Sequence, residues 1–237
     1  HKSGGTGYMA NSINIGIIGF GTVGAGVVRA LLEKRHLLEQ RLGARLVLRR
    51  ICDQDLRRSR GFRLPPGLLT SDASKILRDP DIQIVVELIG GITPAKTLVL
   101  EALRRGKHEV TANKALLANA GAELFDAATR AGADLYFEAS VGGGIPIIKT
   151  LREGLIANDL DAILGIVNGT SNYILTQMRE KPLSFHEALL EAKHHGYAER
   201  NPSLDIDGDD AAHKLAILTL LGFGIQPKQA EIHIEGI

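Results

Sequence analysis

INIGIIGFGTVGAGVVRALL, residues 13–32, decides the fold. A short apolar run, Ile13 to Ile18, meets three glycines at Gly19, Gly21 and Gly24. An apolar-periodic segment follows, with Val27, Val28, Leu31 and Leu32 on one side. The pattern spells strand, tight turn, helix. The first glycine permits the turn, the second lets backbone approach a pyrophosphate, and the third lets helix and strand pack closely. A helix starting here points unpaired N–H groups and the positive end of its dipole at phosphates. Glycine-rich turns also arise by chance, but the flanking strand and helix are the context that a dinucleotide fingerprint requires.

Working outward, Arg45–Cys52 reads as a second strand with Asp53 at its end. An acid there accepts hydrogen bonds from the adenosine ribose hydroxyls. Its distance from Gly24 exceeds the usual ~20 residues, and the helical region through Glu33–Gln40 accounts for the excess. Arg49, Arg50, Arg57, Arg58 and Arg60 crowd the same segment. They are either a solvated basic loop or acceptors for the 2′-phosphate of NADP, and the sequence leaves both open. Ser71–Leu77 reads as a short helix. Ile82–Ile89 is a nearly continuous apolar run, as in a parallel strand buried on both faces, and Gly90 and Gly91 end it. A helix over Ala95–Arg105 stops at Gly106, and His108–Thr111 is a further strand. This alternation predicts a doubly wound parallel sheet. Lys114 opens the next helix at the carboxyl edge of that sheet, where ligands bind. A cation is slightly unfavourable in a first helical turn. Leu135–Ala139 reads as a strand running into the glycine-rich SVGGGIPII.

From about Ile147 the pattern changes to a second, α+β domain. A helix is expected over Ile147–Ala157, a strand over Asp161–Val167 and a helix over Tyr173–Arg179. Ser184 and Glu187 form a capping-box pattern for a helix ending near Gly196. Asp209–Leu221 follows as a helix, and HIEGI as a strand. The loop YAERNPSLDIDGDD concentrates acids, among them Glu199, Asp205, Asp207, Asp209 and Asp210. On its own it reads as a solvated loop capping the next helix. It lacks the spacing and terminal glutamate of a calcium loop, and no zinc pattern appears. Lys214 lies one turn after Asp210, so their side chains share a helix face.

The 237 residues are 44% hydrophobic and 23% charged, with net charge +1, an ordinary globular balance that points to neither nucleic acid nor membrane. No apolar run approaches the ~20 residues of a membrane span. Cys52 is the single cysteine, which excludes an intrachain disulfide and fits a reducing cytoplasm. Residues 1–12 read as a tag or linker remnant.

From Ile13 onward the chain resembles bacterial homoserine dehydrogenases. The resemblance rests on GFGTVGAGV, VVELIGG, GKHEVTANKALLA, FEASVGGGIPII, GIVNGTSNYILT and GYAERNPSLDIDGDDAAHKLAIL, in that order. It implies a Rossmann-type, doubly wound domain over residues 13–145, followed by a substrate-binding and dimerisation domain over 146–237. The implied activity is reversible reduction of L-aspartate 4-semialdehyde to L-homoserine with NADPH or NADH, on the branch towards threonine, methionine and isoleucine. The implied cofactor contacts are Gly19, Phe20, Gly21, Thr22, Val23, Gly24, Asp53, Gly90 and Lys114. The implied substrate contacts are Glu199, Gly169, Thr170 and Asp210. Lys214 falls at the acid–base lysine of the family's GxDxxxK motif, with Asp210 and Lys114 beside it in the catalytic set. A sodium-like monovalent cation would sit on Glu138 and the carbonyls of Val141, Gly143 and Ile145; a plain glycine-rich hinge is the alternative. A homodimer is implied too. Glu109 stands where the family carries an apolar residue, Asn201 replaces an acid, and the family's catalytic portion continues past EGI. The competing readings are another amino-acid oxidoreductase of this fold and a nucleotide-binding module without turnover.

Overall fold

The computed structural model describes residues 12–237. The tag reading therefore lies outside the described residues, except at Ser12, which opens the first strand. The chain forms two compact units. One runs to Asn113 and resumes over Glu123–Tyr136; the other takes Lys114–Ala122 and Phe137–Ile237. The sequence alone draws this boundary after Ile145.

In the first unit, β1 (Ser12–Ile18) leads through the glycine turn into α1 (Thr22–Glu33) and α2 (Arg35–Leu42). Then come β2 (Arg45–Cys52), β3 (Leu69–Thr70), α3 (Ser74–Leu77), β4 (Ile84–Glu87), α4 (Ala95–Arg104) and β5 (His108–Thr111). The long helix α5 (Lys114–Ala131) precedes β6 (Leu135–Tyr136). Among the described residues the sheet has six strands in the order β3-β2-β1-β4-β5-β6, all parallel. That order defines a dinucleotide-binding sheet whose direction reverses beside β1. Adjacent residues on a strand point to opposite faces. Ile17, Ile51 and Val86 accordingly pack with Val28 of α1, whereas Ile18, Cys52 and Val85 pack with Ile76, Leu77 and Ala102 of α3 and α4. Burial on both faces explains the unbroken apolar runs. The two-residue β3 escapes detection by pattern, because one ladder step carries no periodicity.

Two acids sit inside this sheet. Glu87 ends β4 fully buried; its Oε1 accepts from the amides of Ile89 (2.8 Å) and Gly90 (3.2 Å), and its Oε2 accepts from the Thr111 hydroxyl (2.6 Å). Glu109 is equally buried, yet neither carboxyl oxygen has a hydrogen-bond partner of good geometry. Burial first, and the Glu87 carboxylate second, push its carboxyl well above the ordinary range, and the Val110 amide offsets them only in part.

The second unit holds the first turns of α5, then α6 (Ile147–Lys149), which continues as a π-helical turn to Gly154. It also holds α7 (Gly169–Glu180), α8 (Phe185–His194), α9 (Ser203–Ile206) and α10 (Asp209–Phe223). The capping box on α8 forms as expected, with Ser184 and Glu187 bonding reciprocally. Ile174, Ala188 and Ala192 knit α7 to α8. Three expectations are corrected. The strand from Leu135 stops at Tyr136, and Glu138–Ser140 turns into a 3-10 helix. Asp161–Val167 and HIEGI form no ladder among the described residues. A strand needs a neighbour's N–H and C=O groups, and these segments meet helices instead. Leu160 and Ile163 press against α10 at Gly222, and the amide of Ile237 donates to Ile206 O (2.9 Å) at the end of α9. No described helix is long and apolar enough to cross a membrane.

Candidate functional site

The glycine turn of the first unit is built as the fingerprint demands. Gly19 has φ +106°, and a Cβ there would meet the Leu88 carbonyl carbon at 2.5 Å. A Cβ on Gly24 would fall 2.1 Å from Gly19 O, so helix and strand approach too closely for any side chain. At Gly21 a Cβ meets nothing within 4 Å, as expected of a surface kept open for a ligand. Thr22 and Val23 are exposed at the start of α1. Phe20 contributes backbone only: its ring is 2% exposed in the core, edge-on to Phe62 at 6.0 Å and 4.7 Å beneath the Arg60 guanidinium.

Asp53 has a different setting from the one its position suggests. Its Oδ2 accepts from the Phe20 amide (2.6 Å), while Oδ1 accepts from the Asp55 amide (2.8 Å) and pairs with Arg60 (3.3 Å). The carboxylate thus pins the turn between β1 and α1. Arg60 is likewise committed, with its side chain 6% exposed and Nε donating to Phe20 O (3.0 Å). Arg57 and Arg58 remain exposed beside it. Gly90 adopts φ +75° in the turn that Glu87 holds.

Gly21→Val is the clean probe of this turn. Open space and an ordinary φ of −75° let valine fit without strain. The expected result is a folded protein whose coenzyme affinity, read by fluorescence titration, drops by about tenfold or more. Undiminished affinity would remove the pyrophosphate assignment.

The second unit contains a cleft of about 860 Å³ lined by, among others, Lys114, Asn168, Gly169, Asn172 and Lys214. At its polar end Asp210, 4% exposed, joins two lysines: Lys114 Nζ lies 2.6 Å from Oδ1, and Lys214 Nζ lies 2.5 Å from Oδ2. Lys214 also donates to Val167 O. An ammonium has three donors, so one N–H of Lys214 remains for a molecule in the cleft. Burial opposes ionisation of Asp210, but hydrogen bonds from Lys114, Lys214 and Asn168, with the charge of Lys214, outweigh it. Its carboxyl titrates below the usual aspartate range.

The remaining expected residues divide. Gly169 lines the cleft as the first residue of α7, where its N–H points out of the helix start. Thr170 is 6% exposed and turns inward, its hydroxyl lying 2.7 Å from Tyr197 O and 3.0 Å from Asp205 Oδ2. Glu199 is exposed and does not line the cleft. Glu138 accepts from the Ile148 and Lys149 amides (3.0 and 2.9 Å), capping α6, and Ile145 O accepts from Ile147 N (2.8 Å). Val141, Gly143 and Ile145 line the cleft and Glu138 does not. Asn168 is the participant that sequence reasoning passes over. Its place before α7 signals an N-cap, but its carboxylate partners lie 37 and 42 residues away, beyond any local pattern.

Comparison with known proteins assigns both halves to one family. The family model for the NAD-binding domain of homoserine dehydrogenase matches residues 19–138, and the homoserine dehydrogenase model matches 146–237. Homoserine dehydrogenases of Bacillus subtilis and Synechocystis are 42% and 46% identical to it, each over 95% of this chain and 52% of the relative. A crystal structure of the Thiobacillus denitrificans homoserine dehydrogenase superposes with a TM-score of 0.89 at 46% identity, covering 96% of this chain and 53% of that one. A hyperthermophilic archaeal homoserine dehydrogenase in complex with NADPH matches with a TM-score of 0.77 at 30% identity, over 91% of this chain and 71% of that one. The chain thus spans about half the length of the curated relatives it matches. With an NAD(P)-binding sheet, an Asp–Lys cleft and this identity along nearly its whole length, the chain belongs to the homoserine dehydrogenase family.

Proposed function

We propose that the chain carries out the NAD(P)H-dependent, reversible reduction of L-aspartate 4-semialdehyde to L-homoserine. The observation that carries this reading is the cluster of Lys114, Asp210 and Lys214 at the cleft. Aldehyde reduction needs a proton donor at the oxygen that becomes the alkoxide, and an anchor for the rest of the substrate. NAD(P)H, when bound, supplies the hydride. Lys214, as an ammonium, donates its remaining proton to the carbonyl oxygen; in the reverse direction its amine takes the hydroxyl proton. Asp210 holds both lysines in place; its carboxylate, 4% exposed and engaged by Lys114, Lys214 and Asn168, is not a lining residue of the cleft. The Gly169 amide and the positive end of α7 suit the substrate carboxylate.

Three finer assignments belong to this reading. NADP is the coenzyme we assign, because Arg57 and Arg58 stay exposed in the loop after β2 while Asp53 already pairs with the Phe20 amide and Arg60. A sodium-like cation fits the oxygen-only donor set of Glu138 and the Val141, Gly143 and Ile145 carbonyls, where each carboxylate oxygen keeps a second lone pair. Homodimerisation is supported by Leu164 and Ile166, 94% and 79% exposed in a segment without ladder partners among the described residues. A single series of measurements tests all of this. NADPH oxidation with aspartate semialdehyde is followed at 340 nm, as a yardstick of hydride transfer, against NADH and with sodium replaced by choline. Sedimentation gives the oligomeric state. Turnover should be faster with NADPH and in sodium, by a particle of twice the chain mass. Coenzyme binding without turnover would leave a nucleotide-binding module.

A further inference from the structure

We propose that Asn168 is the positioning residue for the acid–base lysine of this chain, an amide clamp that joins the Asp205 and Asp210 carboxylates and so holds Lys214 at the cleft; the inference rests on the function proposed above. Asn168 is 8% exposed and stands at the N-cap of α7, where its Oδ1 accepts from the Ser171 amide (2.8 Å). Its Nδ2 donates to Asp205 Oδ1 (2.7 Å) and to Asp210 Oδ2 (2.9 Å). The orientation of the amide is fixed by these partners, since a flipped amide would set its oxygen against two carboxylates.

Capping a helix does not require this residue. Serine, threonine or aspartate would accept from Ser171 equally well. Two donors beyond the cap do require a carboxamide, because serine has one donor and an ionised aspartate none. The same turn of α7 holds Asp205 again, through the Ser171 hydroxyl donating to its backbone carbonyl at 2.9 Å, while the single Thr170 hydroxyl proton is shared between Tyr197 O (2.7 Å) and Asp205 Oδ2 (3.0 Å). Asp205 is thus a fixed post, and Asn168 ties Asp210 to it. With Oδ2 facing Asn168, both Asp210 oxygens keep the orientation that meets Lys214 on one side and Lys114 on the other. The titratable and charged groups around Lys214 are Asp210 on its own helix, Lys114 from α5, Asp205 from α9 through the clamp, and His233 and Glu235 from the C-terminal stretch that lines the same cleft. All of these lie in the second unit.

Two variants separate clamp from cap. Asn168→Asp keeps the shape and the cap but removes both donors and adds a third carboxylate. Asn168→Ser keeps the cap and cannot bridge both acids. In each, Asp210 faces Lys214 without the competing amide, so Lys214 holds its proton more tightly. The Lys214 side-chain resonance, followed by NMR across pH, should titrate at higher pH than in the wild type in both variants, and further in Asn168→Asp, which adds a carboxylate. Homoserine oxidation at neutral pH should slow by about tenfold or more in Asn168→Asp and by less in Asn168→Ser, with the coenzyme dissociation constant unchanged and the loss shrinking as pH rises. In a Lys214→Ala background, Asn168→Ser should cause no further loss. An unmoved Lys214 titration in either folded variant, or a pH-independent loss of rate, overturns the clamp. A wild-type chain that leaves homoserine unoxidised counts against the proposed function instead, and the titration then still decides the clamp.

Discussion

Lys214→Ala is expected to lower kcat by about 10²-fold or more while coenzyme affinity stays within about twofold. The size follows from what the lysine touches. Two of its three N–H groups are fixed on Val167 O and Asp210 Oδ2, so the third is presented to the cleft with little freedom. Removing it takes away the proton donor, and water admitted in its place is a weaker acid without that orientation. The alanine variant also leaves Asp210, 4% exposed, with Lys114 and Asn168 but without its second cation. A lower melting temperature is therefore expected alongside the kinetic loss. Lys214→Arg separates the two effects: a guanidinium keeps the ion pair but does not give up a proton near neutral pH. It should restore much of the stability and little of the rate. Near-normal turnover in the arginine and alanine variants would move the acid–base role to Lys114, the other lysine on Asp210.

Glu109→Val should stabilise the first unit by about 1–3 kcal/mol at neutral pH, because it removes a buried carboxyl without hydrogen-bond partners. For a chain of this size that corresponds to roughly 3–10 °C in Tm. The sign of the pH dependence follows from the raised carboxyl. In the unfolded chain Glu109 ionises above its ordinary value of about 4.3, whereas in the sheet burial holds the proton to higher pH. Between those two values unfolding releases a proton. The stability Glu109 permits is complete below the ordinary glutamate range and declines as pH rises towards the elevated folded value, by up to about 1.4 kcal/mol per pH unit. The gain from Glu109→Val should accordingly be small near pH 4 and grow with pH. Glu109→Gln should flatten the pH dependence but recover less stability, since it keeps an unsatisfied polar group. Thermal melts of the three proteins from pH 4 to 8 check this. An unchanged melting temperature at pH 8 in the valine variant would mean that the buried Glu109 carboxyl costs the wild-type fold nothing.

The nucleotide-binding sheet was legible in the sequence because its determinants are local. Ile15–Ile18 form a run buried on two faces, Arg45–Cys52 ends in the buried pair Ile51 and Cys52, and Gly19 and Gly24 announce positions where any side chain would collide with backbone. Periodicity and steric exclusion act within a few residues, so they can be read along the chain. The same holds for the capping box on α8. Lys214 and Asp210 stood out for the same reason, one turn apart on a helix.

What the sequence did not determine depends on residues far apart. An isolated apolar segment such as Asp161–Val167 has the composition of a strand, but only a neighbouring backbone makes it one, and here it packs beside α10. Asp53 reads as a ribose acceptor by position, while its actual donors, the Phe20 and Asp55 amides and Arg60, depend on how the loop after β2 folds back. Lys114 meets Asp210 across 96 positions of chain, and Asn168 reaches two carboxylates on α9 and α10. Hydrogen bonds and ion pairs are short-ranged in space and indifferent to separation along the chain. Sequence alone therefore supplied the chemistry of these groups, and the tertiary structure decided which of them touch.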